Sequence, residues 1–182
     1  MLPEVRVLLE RAQARRHVIH GLLEVVPEAF WLRSTAGDAW SARAHVAHLG
    51  AMDGPVATLL RRASSGDGEA WLCDTSDPAA LESVRTAAMA QLAHSSPPEL
   101  VRALAEARDA VVVALDELHP AGLEMHVLVA GAADGWGRQL RWPLRDYLRH
   151  WAGHDAVHEA AIREAFTTPP DLSAVALTRR LR

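Results

Sequence analysis

His154 and His158 stand four residues apart in the segment His150-Trp-Ala-Gly-His154-Asp-Ala-Val-His158. On a helix that spacing stacks both imidazoles on one face, near enough to share one metal ion. The same face carries Leu144, Tyr147, Trp151, Ala161, Ile162 and Ala165, so the pair points into a core rather than into water. Neutral imidazoles aimed inward from an apolar stripe are costly unless something binds them. A metal ion is one answer. Hydrogen bonds to carbonyls or to Ser and Asp neighbours, in an ordinary histidine-containing core, are the other. The chain has 10 histidines, so a His-x-x-x-His spacing also arises by chance.

Helical phase offers a partner face. At about 100° per residue, His158 falls near the centre of its stripe, His154 lies roughly 40° from it, and His150 falls at the edge. In an earlier segment, Met52, Val56, Leu59 and Ala63 define a buried face, and both His45 and His48 fall on it. Facing helices of a bundle build metal sites in this way. Three or four nitrogen ligands are then available, and three with an open position suit catalysis. Imidazole favours zinc, nickel, copper or iron over magnesium or calcium.

Other residues carry weaker signals. Arg141, Arg145 and Arg149 recur every four residues. They read either as an anion cradle at the mouth of the site or as a solvated face. Asp155 either orients a ligand histidine or is a polar flank. Trp151 could wall a site, and Trp136 and Trp142 could touch a substrate, though core packing explains each equally well. His17 and His20 read as surface or structural. Cys73 has no nucleophile signature around it.

The elements that must hold these residues are helical. A first helix runs from about Pro3 to Val26, with Val5, Leu8, Ala12, Ile19, Leu23 and Val26 on one stripe. A second starts near Ser41, its N-cap, and runs to about Ala63, with a kink expected at Pro55. Residues 64–77 read as a loop. Asp77-Pro78 opens a shorter helix ending near Ala93. Ser96-Pro-Pro-Glu99 is a capping box opening a long helix to about Leu118, with Leu100, Leu104, Ala107, Val111, Ala114, Leu115 and Leu118 inward. Residues 119–142 are ambiguous, and Met125–Ala130 could be extended. A last long helix begins at Pro143 and ends before Thr167. The sum is an all-α four-helix bundle over residues 1–166, with an additional short helix between the second and third long ones, and a tail over 167–182.

Composition sets the remaining bounds. The chain has 182 residues, 49% hydrophobic and 23% charged, as expected of a single globular domain. A formal net charge of −4 speaks against nucleic acid or an acidic membrane as partner. All 19 basic residues are arginine. One cysteine permits no internal disulfide and suits a reducing compartment. With no leader pattern and no apolar run long enough to span a bilayer, a cytoplasmic location is the expectation.

Trp40-Ser41 followed by His48 and Asp53 resembles the second-helix signature of the DinB/YfiT-like proteins, in which a Trp-Ser or Trp-Thr opens the helix and a His follows. Leu148-Arg-His-Trp-Ala-Gly-His154-Asp155-Ala-Val-His158 resembles the family's fourth-helix signature, and Glu99 through Arg108 to Leu118 its third long helix. The resemblance runs from the first helix to about Phe166. It implies a four-helix bundle, often a homodimer, with one divalent metal held by three histidines. At matching positions these are His48, His154 and His158, a choice of His48 over His45 that periodicity alone leaves open. Characterised relatives include thiol-dependent transferases and isomerases using mycothiol, bacillithiol or a similar low-molecular-weight thiol. The chain departs from the pattern at Ala44, where a Glu often completes a capping box. It departs again at His45, usually aliphatic, which here becomes a fourth ligand, a group behind a ligand, or a general base.

The leading expectation is a metal-dependent transferase in which zinc or nickel lowers the pKa of a bound thiol and presents a thiolate to a small electrophilic substrate. Metal-assisted hydrolysis, with His45 as base, is a second reading. A non-catalytic, dimeric metal-binding stress protein is a third. A shared fold does not choose among them.

Overall fold

A computed structural model describes residues 1–34 and 40–167. Among these residues five α-helices and a small sheet form: α1 (Pro3–Val25), α2 (Ala42–Ser64), β1 (Glu69–Trp71), α3 (Pro78–Ala93), α4 (Pro97–Asp116), β2 (His126–Ala133), β3 (Gln139–Pro143) and α5 (Leu144–Thr167). The long helices α1, α2, α4 and α5 make the bundle, with α2 against α4 and α1 against α5. Helix α3 is the additional helix between the second and third long ones, and it rests on α2. The expected tail falls mostly at 168–182, outside the described residues.

The helix ends follow their local chemistry. The Ser41 hydroxyl accepts the Ala44 N–H at 3.2 Å, so α2 is capped without the glutamate that would complete a box. Asp77 caps α3 through the Ala79 N–H. The Glu99 carboxylate accepts the Ser96 N–H at 2.7 Å, closing the start of α4. Helix α2 continues through Pro55 to Ser64 without a break.

An all-α reading needs correction. Residues 64–77 are not all loop, because β1 lies within them. The ambiguous stretch 119–142 folds largely into the β2–β3 hairpin. Strand β2 is central, parallel to β1 and antiparallel to β3. The hairpin turn is built by Asp134, whose carboxylate accepts the N–H groups of Trp136 and Arg138, with Gly137 at φ 78°. Pro143 closes β3 rather than opening α5, and the Leu144 N–H donates to the Met125 carbonyl at 2.7 Å. That bond ties the start of α5 to the sheet.

The core has two apolar clusters. One, beside the sheet, includes Ala12, Val56, Val111 and Ala152. The other, at the far end of the bundle, includes Ile19, Leu49, Leu104 and Ile162. On every long helix a buried charged residue falls between the two: Arg16 on α1, Asp53 on α2, Arg108 on α4 and Asp155 on α5. The Arg16 Nε and NH2 groups reach Asp155 at 2.9 and 3.0 Å, and Arg108 reaches it at 3.1 and 3.2 Å. Asp53 lies 3.0 Å from Arg108 and 3.2 Å from Arg16. Two cations and two anions thus alternate in a closed, neutral square. Each guanidinium touches both carboxylates, which pairs charges that could not be buried singly.

Candidate metal centre

Beside this square, α2 and α5 bring three imidazoles to one point. His154 Nε2 lies 3.3 Å from His48 Nε2 and 3.1 Å from His158 Nε2. One ligand atom from each of the three lies within 4.8 Å of the other two. A tetrahedral ion with metal–nitrogen bonds of about 2.05 Å sets its nitrogens roughly 3.3 Å apart, so the observed spacing fits one ion. The donor set is neutral nitrogen, of the type that suits late transition metals.

Burial keeps these rings neutral. His48 is pushed down to about 4, first by burial and then by the charges of His154 and Arg85. His158 is pushed down to about 3, again first by burial and then by its histidine neighbours. His154 is also lowered, chiefly by burial, with Asp155 opposing. Near neutral pH the lone pairs are therefore free for a cation.

His45 stands behind the cluster. It is 3% exposed, and its Nδ1 lies 2.9 Å from His158 Nδ1. That contact occupies the nitrogen of His158 turned away from the other two imidazoles, so His45 fixes the ring's orientation and leaves Nε2 for a metal. Trp40 covers the same group, with its ring 5.0 Å from His48 and stacked at 6.3 Å over His158. The Trp-Ser pair therefore joins two tasks, since Ser41 caps α2 while Trp40 roofs the histidines.

A cavity of about 230 Å³ opens next to His48 and His154. Its walls are mainly apolar, from α2, α3, β2, β3 and α5, and include Trp142 and Trp151. His150 lines the mouth, against the edge of Trp142 at 5.4 Å. Trp136 does not line it and is 82% exposed. Arg141, Arg145 and Arg149 do not line it either: they pair with Glu69, Glu124 and Asp146 at the surface. The cation on the wall is Arg85 of α3. Its four-residue spacing from Leu81 puts it on the face that α3 turns to the cavity. That signal was readable, but only once the position of α3 is known. Among the described residues, the Asp155 carboxylate takes its hydrogen bonds from Arg16 and Arg108 rather than from a histidine. It belongs to the arginine–aspartate square, which also holds the site's wall, because Asp53 accepts the Trp151 Nε1–H at 3.1 Å.

Comparison with known proteins agrees with this architecture. The family model described as DinB superfamily matches residues 11–162. The chain belongs to the DinB superfamily. Two solved structures of mycothiol-dependent maleylpyruvate isomerase, one a histidine-to-alanine variant, superpose on it with a TM-score of 0.67 at 17% identity. The match covers 88% of this chain but 61% of theirs, so the likeness is one of fold over part of a longer protein. No curated protein sequence matches significantly. Among the described residues, no helix is long and apolar enough to cross a membrane.

Proposed function

We propose that this DinB-superfamily protein is a metal-dependent transferase that uses a low-molecular-weight thiol, with His48, His154 and His158 as the metal ligands. The observation that carries the reading is the convergence of three imidazole nitrogens, two of them, on His48 and His154, on the wall of a mainly apolar cavity. A structural site closes its sphere with a fourth protein ligand, whereas a catalytic one keeps a position open. Here the cavity meets the histidines, and His45 is engaged with the back of His158. The solved structures sharing the fold are named for a mycothiol-dependent isomerase, which supports a thiol as the small-molecule partner.

A bound zinc or nickel ion would supply one thing, a lowered pKa for a thiol coordinated to it. The chain's own residues do the rest. His45 holds the His158 ring, Trp40 shields the cluster, and the apolar walls exclude water from the reacting thiolate. A homodimer, as the family resemblance implies, belongs to the same reading.

The test is turnover of an electrophile by metal-loaded protein across a panel of thiols. Product formation that requires both metal and thiol is the expected result. Thiol-independent turnover would replace the transferase by a hydrolase, and no turnover with any thiol would favour a binding role.

A further inference from the structure

We propose that Arg85 and Tyr147 form an anion-binding end of the cavity that takes a single carboxylate carried on an otherwise apolar small molecule. Both side chains line the cavity that His48 and His154 border. The inference rests on the proposed function only for what happens at the histidine end.

Tyr147 is buried, yet its hydroxyl has no hydrogen-bond partner among the described residues. Buried phenol hydroxyls nearly always have one. The ring is packed against Trp142 at 6.1 Å, and both residues line the cavity. Arg85 is only loosely held: its sole ion pair among the described residues is with Glu82 at 3.7 Å, too long for a hydrogen bond, and both side chains face solvent in part. Arg85, Tyr147 and His48 line the same cavity, and the guanidinium charge bears on His48 and on Tyr147 alike. Among the described residues no aspartate or glutamate lines the cavity, so nothing there competes for Arg85.

The rest of the wall decides the ligand class. Away from the histidines and tryptophans that share the lining, Leu72, Leu81, Val127 and Val129 offer no polar side-chain partner. A second carboxylate or a doubly charged phosphate would lie against them unpaired, which is costly. One carboxylate suits a guanidinium fork plus a phenol hydroxyl, and a short apolar chain suits the remaining surface.

Hexanoate and hexanamide serve as probes, with quenching of tryptophan fluorescence as the readout, since Trp142 and Trp151 line the cavity. Wild-type protein should bind hexanoate more tightly than hexanamide. Arg85→Gln should weaken hexanoate about 30-fold and leave hexanamide unchanged, and Tyr147→Phe should weaken hexanoate about 15-fold, as expected for lost hydrogen bonds to a charged group. Arg85→Lys should recover part of the affinity. Equal affinity for acid and amide in the wild type, or equal weakening of both by Arg85→Gln, overturns the proposal.

Metal-loaded protein then shows whose carboxylate it is. If Arg85→Gln weakens 3-mercaptopropionate but not 2-mercaptoethanol, the thiol carries it. If hexanoate and 2-mercaptoethanol bind together, the electrophilic substrate does. Metal content measured on the same samples separates the two ideas. Absence of metal with selective hexanoate binding intact fails the transferase and leaves the anion site standing.

Discussion

Replacing Asp155 with alanine should destabilise the protein far more than any surface change. Asp155 is 1% exposed and lies between Arg16 and Arg108, each within 3.2 Å. Its removal leaves two buried guanidiniums sharing only Asp53, a net charge of about +1 inside the bundle. Breaking a buried ion pair by removing one partner costs about 3–5 kcal/mol, because the charge left behind is uncompensated. With a urea slope on the order of 2 kcal/mol/M, the midpoint of unfolding should fall by about 1.5–2.5 M. The double variant Arg108→Met, Asp155→Leu leaves Arg16 and Asp53 as a neutral pair and fills the gap with apolar volume. It should be more stable than Asp155→Ala despite carrying two substitutions. Urea denaturation followed by circular dichroism measures all three proteins. A loss below about 1 kcal/mol for Asp155→Ala, the scale of an exposed pair, would refute the reasoning, as would a double variant weaker than the single.

Three further outcomes follow from the same geometry. His45→Phe should lower metal affinity about 10–100-fold, as loss of a group orienting a ligand does, and equilibrium metal titration checks it; unchanged affinity would remove His45 from the site. Metal-free protein should lose stability as pH falls from about 6.5, the ordinary histidine value, through about 4 for His48 and about 3 for His158. The sign follows from proton uptake: folding keeps these rings neutral while the unfolded chain protonates them, so stability present above 6.5 is lost below it. Thermal melts of metal-free protein between pH 7 and pH 4 test this, and a flat profile would contradict it. Arg149→Ala removes an exposed pair with Asp146 and should change stability by less than about 1 kcal/mol while leaving metal binding untouched.

Much of this molecule is legible in its residues because helical phase is a strong signal. The buried faces of α1 and α4 follow the apolar repeat at Val5, Ala12, Ile19 and Leu23, and at Leu100, Leu104, Val111 and Leu115. The exceptions are instructive. Arg16 and Arg108 lie on those same buried faces, where a charge reads as an interruption until its partners on other helices are known. Asp155 was open to two readings beside His154, and its true partners are 139 and 47 residues away. The β1–β2 pairing joins segments far apart in sequence, and a three-residue strand such as β1 carries no period of its own. Arg141, Arg145 and Arg149 have a regular spacing, but β3 ends at Pro143. Arg141 is therefore on a strand and the other two on a helix, and all three meet surface carboxylates. Arg85 carries no signal of its own, because nothing local marks which face of α3 meets the cavity.

The three histidines are proposed to act as one site, and metal content tests this most directly. Purified protein, stripped and refilled with zinc or nickel, should retain about one equivalent per chain by elemental analysis, and His154→Ala should retain almost none while keeping its helical circular dichroism. Equal retention by both proteins, or negligible metal in the wild type after refilling, would contradict it.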